Sequence, residues 1–291
     1  MKLPGIIRLM RPHHWTKNVV CFAGVLFGGF YGHLDSWLKA SVVFLFFCLA
    51  ASTVYVWNDI LDRDRDKLHP VKRNRPIASG KVSVSAAAAL GILLILVLLS
   101  SGFFIGVPAQ ICLLLYFVIN VAYILYLKHV PLLDISCITS GFVLRVLAGI
   151  YPLGDTPTTW IVLCTMGLAL LLATSKRRSE LLRLADGDKK QRPVLQGYTI
   201  PYLDSLINSA ATSTLLFYAL FTILSNKNPT LVLTIPVVYY GIMRYKALVM
   251  MHQGAEEPEM ILLKDLGIQS TIIVWFLLYI AILTFQPHWF R

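Results

Sequence analysis

Long apolar blocks alternate with short polar segments along the whole chain. Most blocks are about 18 to 22 residues long, the length that an α-helix needs to cross about 30 Å of hydrocarbon. The connecting segments leave no room for a separate soluble domain, so we predict an all-α, polytopic membrane protein in which residues 1–291 form a single transmembrane domain. The predicted membrane-spanning helices are nine, at residues 19–34, 37–57, 83–104, 108–128, 131–152, 157–175, 205–225, 229–250 and 267–286.

Charge is scarce and lies mostly on one side of the predicted membrane. Only 14% of the residues are charged, against about 25% in soluble domains. With nine spans, 22 of the 26 Lys and Arg residues fall on the side that holds the N-terminus. This bias places that side in the cytoplasm, and it explains the net charge of +11 without a nucleic-acid partner. The same residues face an anionic lipid leaflet, which is a second ordinary role for them.

Acidic residues collect on that same side, which the membrane topology does not explain. In "NDILDRDRD", Asn58, Asp62 and Asp66 are spaced i, i+4 and i+8, and Asp59 follows Asn58. On a continuous helix these four side chains share one face. Carboxylates stacked without a cation repel one another, whereas Mg²⁺ binds oxygen ligands and is commonly held by one or two carboxylates plus substrate phosphates. We therefore predict a magnesium site.

A basic run follows the carboxylates at once. Lys67, Lys72, Arg73 and Arg75 lie within nine residues, and guanidinium groups bind phosphate oxygens in bidentate fashion. Metal-binding carboxylates beside such a run suit a pyrophosphate group. The alternative is a solvated loop in which the charges simply pair, as Asp59 with Arg63 and Asp62 with Arg65.

These motifs resemble the UbiA superfamily of intramembrane prenyltransferases, and the resemblance covers nearly the whole chain. "NDILDRDRD" fits the pattern NDxxDxxxD, and "HPVKRNRPIASG" follows it as in that superfamily. The resemblance implies nine transmembrane helices around a central cavity, with magnesium-bound diphosphate under cytoplasmic cap loops. Ordinary members carry a second motif, DxxxD, after the sixth helix. Between residues 176 and 204 no two aspartates are four apart, and "KRRSELLRLADGDKK" stands there instead.

A second resemblance points to one branch of the superfamily. "RPHHWTKNVV", residues 11–20, is similar to the RPxxWxKN opening of the branch that transfers phosphoribose from 5-phosphoribosyl-1-pyrophosphate to decaprenyl phosphate. "LKHVPLLDI", the intramembrane Arg145 and "EEPEMILLKD" also resemble that branch. It implies transfer of phosphoribose to a polyprenyl (decaprenyl) phosphate with release of pyrophosphate. Such a reaction brings three anionic groups together, which calls for more fixed cations and fewer carboxylates.

The predicted site residues divide by ligand. The predicted metal ligands are Asn58, Asp59, Asp62 and Asp66. The three aspartates among them are also the predicted catalytic residues. The donor phosphates are assigned to Lys17, Asn18, Lys72, Arg73, Arg75, Lys176, Arg177, Arg178 and Glu180. The acceptor phosphate is assigned to Lys128, Asp134 and Arg145, with Lys17 and the 176–178 cluster as alternatives. The expected cofactor is Mg²⁺; the expected partners are the donor, the polyprenyl phosphate and the lipid bilayer, with no nucleic acid, and a homo-oligomer is compatible with the sequence. The expected location is the cytoplasmic membrane of a bacterium, with the site on the cytoplasmic side.

Two other functions remain open from the sequence. The first is a UbiA-type prenyltransferase that moves a prenyl chain from its diphosphate onto an aromatic or isoprenoid acceptor; the missing DxxxD and the presence of "RPHHWTKN" disfavour it. The second is a transporter of anionic lipid. Transporters often place charge near the membrane midplane, whereas here only Arg145 lies deep in a predicted span.

Overall fold

The structure is a computed structural model that describes residues 5–68, 72–185, 193–225, 227–251, 261 and 264–286. Within these ranges the chain is helical and contains no β-strand. The α-helices are α1 (Gly5–Leu9), α2 (Ala23–Phe27), α3 (Leu34–Leu61), α4 (Arg63–Leu68), α5 (Val84–Leu99), α6 (Gly102–Ile105), α7 (Val107–Leu125), α8 (Leu133–Ile150), α9 (Thr159–Ala185), α10 (Ile200–Leu224), α11 (Ile235–Met251) and α12 (Leu266–Phe285). The 3-10 helices are Pro12–Phe22, Lys72–Asn74, Leu127–His129, Tyr151–Leu153, Pro193–Gly197 and Pro229–Thr234.

Eight helices of the described ranges are long and apolar enough to cross a membrane. They match the second to the ninth predicted spans and confirm the all-α membrane fold. Two of them extend well beyond the apolar block. α3 has 28 residues and α9 has 27, so each is about 40 Å long, more than the hydrocarbon thickness. Their polar ends therefore carry the motif residues out of the apolar layer on rigid helix.

The first predicted span differs from the α-helix expected at 19–34. The chain forms the 3-10 helix Pro12–Phe22 and then α2. This segment runs antiparallel to α3: Trp15 Nε1 donates a hydrogen bond to Ser52 Oγ, and further along the ring of Phe22 lies 5.8 Å from that of Trp37. At about 2.0 Å per residue in the 3-10 part and 1.5 Å in α2, it covers nearly the thickness of the apolar layer. It is not among the eight helices of the described ranges that are long and apolar enough to cross a membrane, so a ninth span stays a prediction.

The 3-10 geometry follows from a period of three in the sequence. Side chains at i and i+3 eclipse in a 3-10 helix, which puts Trp15, Asn18 and Cys21 on one side, and Asn18 and Cys21 are fully buried. Gly149 of α8 is required by the close approach of this segment. A Cβ at that position would lie 1.9 Å from the carbonyl oxygen of Cys21.

The chain divides into two compact units, Met1–Tyr126 with Ser140–Pro157 and Leu127–Thr139 with Thr158–Arg291. In the first unit, the core joins Cys21, α3, α7 and Ala148. In the second unit, one core cluster is built on α9, α10 and α11, and another joins Ile135 to Tyr198 and Leu203. This division does not test the prediction that residues 1–291 act as a single domain, which stays a prediction.

Candidate active site

Two buried carboxylates meet at the end of α3 in the first unit. Asp59 is 1% exposed and Asp66 is 2% exposed. One atom, Arg75 Nη1, lies 3.2 Å from Asp59 Oδ1 and 2.6 Å from Asp66 Oδ2. Arg11 Nη2 lies 2.6 Å from the same oxygen of Asp59. Two carboxylates and two guanidinium groups thus form a neutral, closely packed cluster.

The helical path through the motif places its residues at the predicted spacing. The N–H of Asp62 donates to the carbonyl of Asn58 at 2.9 Å, and the N–H of Asp66 donates to that of Asp62 at 2.8 Å. The i to i+4 hydrogen bonds therefore continue from α3 into α4, although α3 ends at Leu61 and α4 begins at Arg63. Asn58 and Asp62 are half-buried next to the cluster residues in the chain.

Asp64 does not join this cluster; it is exposed and lies 3.0 Å from Lys67 Nζ. The hydrogen bond from Lys67 lowers the pKa of that carboxyl group. The simple pairing of Asp59 with Arg63 is not what the described residues show, because Asp59 is paired with Arg11 and Arg75 instead.

The carboxylate pair fits a magnesium ion of the kind that also uses substrate oxygens. Asp59 Oδ2 is buried and has no hydrogen-bond partner among the described residues, so this oxygen could serve as a metal ligand. The described residues contain no group of three His, Cys, Asp or Glu side chains that would hold a metal by themselves. Since Mg²⁺ is often held by one or two carboxylates plus phosphate oxygens, Asp59 and Asp66 suffice as protein ligands.

Arg145 and Asn18 are bonded to each other in the first unit. Arg145 Nε donates to Asn18 Oδ1 at 2.6 Å, and its Nη2 donates to Tyr116 Oη at 2.9 Å. Asn18 is fully buried, and its amide group donates to Cys48 Sγ. The guanidinium carbon also lies 4.4 Å from the ring centroid of Tyr116. Within the described part of the chain, no carboxylate pairs with this buried arginine.

A second charged cluster lies in the second unit around Arg177. This side chain is 1% exposed, and its Nε lies 2.6 Å from Asp134 Oδ2. It also pairs with Glu180 one turn later in α9. Tyr198 Oη donates to Asp134 Oδ1 at 2.6 Å and accepts from the N–H of Leu132. Burial raises the pKa of Tyr198, and its hydrogen bond to Asp134 raises it further, so the phenol keeps the proton that it donates.

The residues of "KRRSE" are not in a loop, as the sequence suggested, but in α9. Arg178 Nε lies 2.5 Å from Asp204 Oδ1, and its Nη1 donates to the carbonyl of Val249. Arg177 and Arg178 are therefore each paired with carboxylates, and their assignment to the donor phosphates stays a prediction. Lys176 is half-buried on the same helix.

The predicted acceptor residues fall in both units. Asp134 belongs to the second unit and Arg145 to the first, although both are residues of α8. Lys128 lies half-buried in the 3-10 helix Leu127–His129. Lys17 is half-buried in the N-terminal 3-10 helix, while Lys72 and Arg73 are exposed.

Three residues of these clusters were not among the predicted site residues. Arg11 had a signal, because it opens the "RPHHWTKN" motif. Asp204 had a weaker one, as an acid near the start of a predicted span. Tyr198 had none, since it contacts Asp134 across 64 residues of sequence. Most of "EEPEMILLKD", residues 256–265, lies outside the described residues; its Asp265 binds Arg244 through two hydrogen bonds, which hold the pKa of that carboxyl group at about 2.

The sequence model of the UbiA prenyltransferase family matches residues 18–263. The chain belongs to this family. Among its relatives, decaprenyl-phosphate phosphoribosyltransferase of Mycolicibacterium smegmatis is 33% identical, over 93% of this chain and 90% of the relative. The protein of the same name from Corynebacterium glutamicum is 30% identical, over 93% of this chain and 84% of the relative.

Solved structures of the UbiA family share the fold. A UbiA homologue from Archaeoglobus fulgidus bound to GPP and Mg²⁺ superimposes with a TM-score of 0.70 at 19% identity, over 96% of this chain and 99% of that one. A digeranylgeranylglyceryl phosphate synthase structure gives a TM-score of 0.72 at 17% identity, over 94% and 96%. At these identities the likeness establishes the architecture.

Proposed function

We propose that this UbiA-family protein transfers phosphoribose from 5-phosphoribosyl-1-pyrophosphate to a polyprenyl phosphate, such as decaprenyl phosphate, with release of pyrophosphate. The observation that carries the proposal is the similarity, over 93% of the chain, to relatives named for this reaction. The structure adds support at the end of α9. Ordinary prenyltransferases of the family carry a second carboxylate motif after the corresponding helix. Here that region carries Lys176, Arg177 and Arg178.

The donor pyrophosphate is assigned to the carboxylate cluster of the first unit. Asp59 and Asp66 would hold Mg²⁺, with Asn58 and Asp62 beside them in the motif. Bound there, Mg²⁺ would neutralise the charge that develops on the departing pyrophosphate. Arg75, Lys72 and Arg73 follow directly in the chain and would bind the remaining phosphate oxygens through charge-assisted hydrogen bonds.

The other predicted residues receive narrower roles. In the second unit, Asp134 and Glu180 would orient Arg177. Lys176 and Lys128, which are half-buried, would bind a phosphate group. Asn18 acts by holding Arg145, because its own amide is fully buried. Lys17 extends from the same 3-10 helix as a further phosphate ligand.

The bond change needs no strong general base. The lipid phosphate is already anionic at neutral pH, and one of its oxygens would attack C1 of the ribose from the face opposite the leaving group, with inversion. The C1–O bond to pyrophosphate breaks as the new C1–O bond forms. Preorganised cations are most effective where charge develops in the transition state, here on the leaving group.

The location and assembly belong to the same proposal. We propose that the carboxylate cluster lies at the cytoplasmic face of a bacterial inner membrane, and the bias of Lys and Arg towards one side supports this. The polyprenyl tail would lie against the apolar helices, within reach of lipid. The proposal also includes assembly of the chain into a homo-oligomer.

The test uses purified protein with Mg²⁺, polyprenyl phosphate and 5-phosphoribosyl-1-pyrophosphate labelled in the ribose. We expect label in the lipid fraction and one equivalent of pyrophosphate released. A parallel reaction supplies geranyl diphosphate with an aromatic acid. Prenylation of the acid without transfer of ribose to lipid would replace the proposal with the prenyltransferase function.

A further inference from the structure

A single nitrogen atom bridges the two buried carboxylates of the first unit. Arg75 Nη1 is within hydrogen-bond distance of both Asp59 Oδ1 and Asp66 Oδ2. A divalent cation held by Asp59 and Asp66 would compete with this guanidinium for the same two carboxylates, because both are cations and the space beside the pair is already filled by Arg75.

The two arginines of the cluster are not equally free to leave. The guanidinium of Arg11 lies 4.7 Å from the ring centroid of Tyr55, and among the carboxylates of the described residues it pairs with Asp59. Its backbone has a positive φ of 53°, immediately before Pro12, so its position is fixed by the start of the 3-10 helix. Arg75 instead stands in a short bend between the 3-10 helix Lys72–Asn74 and a turn, and its side chain is 22% exposed. Arg75 is the group that can move.

We propose that Arg75 is an exchangeable counter-ion of the carboxylate pair. A divalent cation that binds Asp59 and Asp66 displaces its guanidinium, and the released guanidinium then binds the diphosphate of the donor. A divalent cation adds positive charge to a neutral cluster, and the anionic diphosphate that Arg75 and the metal share offsets it, so the charge is balanced only when both are bound. This inference rests on the metal and diphosphate site of the proposed function, but it does not depend on which group is transferred.

The exchange predicts that metal and diphosphate bind with positive coupling. Diphosphate captures Arg75 and so removes the competitor of the metal, and by reciprocity the metal strengthens diphosphate binding by the same factor. If Arg75 only held the two carboxylates in place, its removal would weaken metal binding. The sign of the change in metal affinity therefore separates the two roles.

The experiment measures Mn²⁺ binding to the purified full chain by electron paramagnetic resonance, with and without inorganic pyrophosphate. The variants are Arg75→Gln, Arg75→Lys and, as the matched control, Lys67→Gln, which removes a cation of the same region that pairs only with the exposed Asp64. Without pyrophosphate, Arg75→Gln should bind Mn²⁺ about tenfold more tightly than the unmodified chain, since a charged hydrogen bond no longer competes. Lys67→Gln should stay within about twofold.

Pyrophosphate supplies the second arm. It should raise the Mn²⁺ affinity of the unmodified chain and of Arg75→Lys, and most of this gain should be lost in Arg75→Gln. Weaker Mn²⁺ binding by Arg75→Gln, or a change equal to that of Lys67→Gln, would overturn the exchange. Arg75→Lys keeps the charge and decides the question through its pyrophosphate response if the glutamine variant does not fold. Failure of ribose transfer to lipid leaves these binding results unaffected, so the two proposals fail separately.

Discussion

Arg145 of α8 and Asn18 of the N-terminal 3-10 helix are joined by a 2.6 Å hydrogen bond across 127 residues of sequence. Both side chains are buried, and the other donors of Arg145 go to Tyr116 Oη and the carbonyl of Gly141. The bond ties the segment that carries Arg11 and Lys17 to the core of its unit. A cation held by neutral acceptors alone depends on each of them, because an unmade bond to a buried charge is costly.

Replacement of Asn18 by Ala should therefore lower the free energy of unfolding by about 1–2 kcal/mol, since Arg145 Nε is left unsatisfied. Arg145→Met removes the same bond from the other side. The double variant should be more stable than the sum of the two effects predicts, by about 1 kcal/mol. Equilibrium unfolding in detergent, followed by circular dichroism, measures all three.

Asn120→Ala is the control for that cycle. Asn120 lies in the same unit and donates to the carbonyl of Tyr116 one turn earlier in α7, so it makes a bond of similar length without touching Arg145. We expect a change below about 0.5 kcal/mol. Additive effects of Asn18→Ala and Arg145→Met would show that the two side chains are not coupled.

The close approach of the 3-10 segment to α8 makes a second prediction. Gly149→Ala would place a Cβ 1.9 Å from the carbonyl oxygen of Cys21, so backbone must shift against backbone. We expect loss of monodisperse protein on size-exclusion chromatography, or a large drop in melting temperature. Gly32→Ala is the matched substitution, because nothing lies within 4 Å of a Cβ there and its φ is not positive. Equal yields of the two variants would contradict this packing.

The sequence predicts the long helices well because their signal is local. Each apolar block is long enough to cross the membrane alone, and the register from Asn58 to Asp66 is a spacing within one helix. The helix type of the first predicted span was wrong. Its buried residues Asn18 and Cys21 are three positions apart, a spacing that by itself does not indicate a 3-10 helix. Pro12 and Gly28 bound a segment of mixed polarity, so the apolar block appears displaced towards 19–34.

The charged clusters were predicted as residue types but not as pairs. "KRRSE" predicts cations that bind phosphate. Nothing in this stretch indicates that Arg177 forms an ion pair with Asp134, 43 residues earlier in the chain. Charge on a helix end is read from the sequence as exposed by default. Burial of that charge depends on the segments that pack around it. Here these are two separate connections, one with Leu132 and one with Tyr198, joined by a hydrogen bond from the N–H of Leu132 to Tyr198 Oη.

The Asp134–Arg177 pair makes a third prediction, on stability. Both groups are fully buried, so Asp134→Asn leaves Arg177 with Glu180 as its carboxylate partner and should lower the free energy of unfolding by about 1.5–3 kcal/mol. Arg177→Met should be similarly harmful, because it strands Asp134. The combination Asp134→Leu with Arg177→Met removes both charges and should recover part of the loss. Thermal unfolding in detergent measures the recovery.

The surface pair of Asp35 and Lys39 serves as its comparison. Both side chains are about half or more exposed, and such pairs contribute little. Asp35→Asn should leave the melting temperature unchanged. If Asp134→Asn is equally silent, the buried pair does not stabilise the second unit.

The carboxylates of "NDILDRDRD" make the last prediction, on activity. Asp59→Asn removes the charge of the buried carboxylate whose Oδ2 has no hydrogen-bond partner in the described chain, so ribose transfer to lipid should fall at least about 100-fold. Asp64→Asn is isosteric with it and changes the same motif. Because Asp64 is exposed and pairs only with Lys67, transfer should stay within about twofold.

Metal affinity distinguishes the cause of that loss. Asp59→Asn should weaken Mn²⁺ binding in the presence of pyrophosphate, whereas Asp64→Asn should not, because only Asp59 shares Arg75 with Asp66. Raising the Mg²⁺ concentration should restore part of the activity of Asp59→Asn if the carboxylate acts through the metal. Full activity of Asp59→Asn at low Mg²⁺, or equal losses of activity in the two variants, would show that Asp59 is not a metal ligand. The comparison is direct because the two substitutions differ only in the burial and in the partner of the carboxylate.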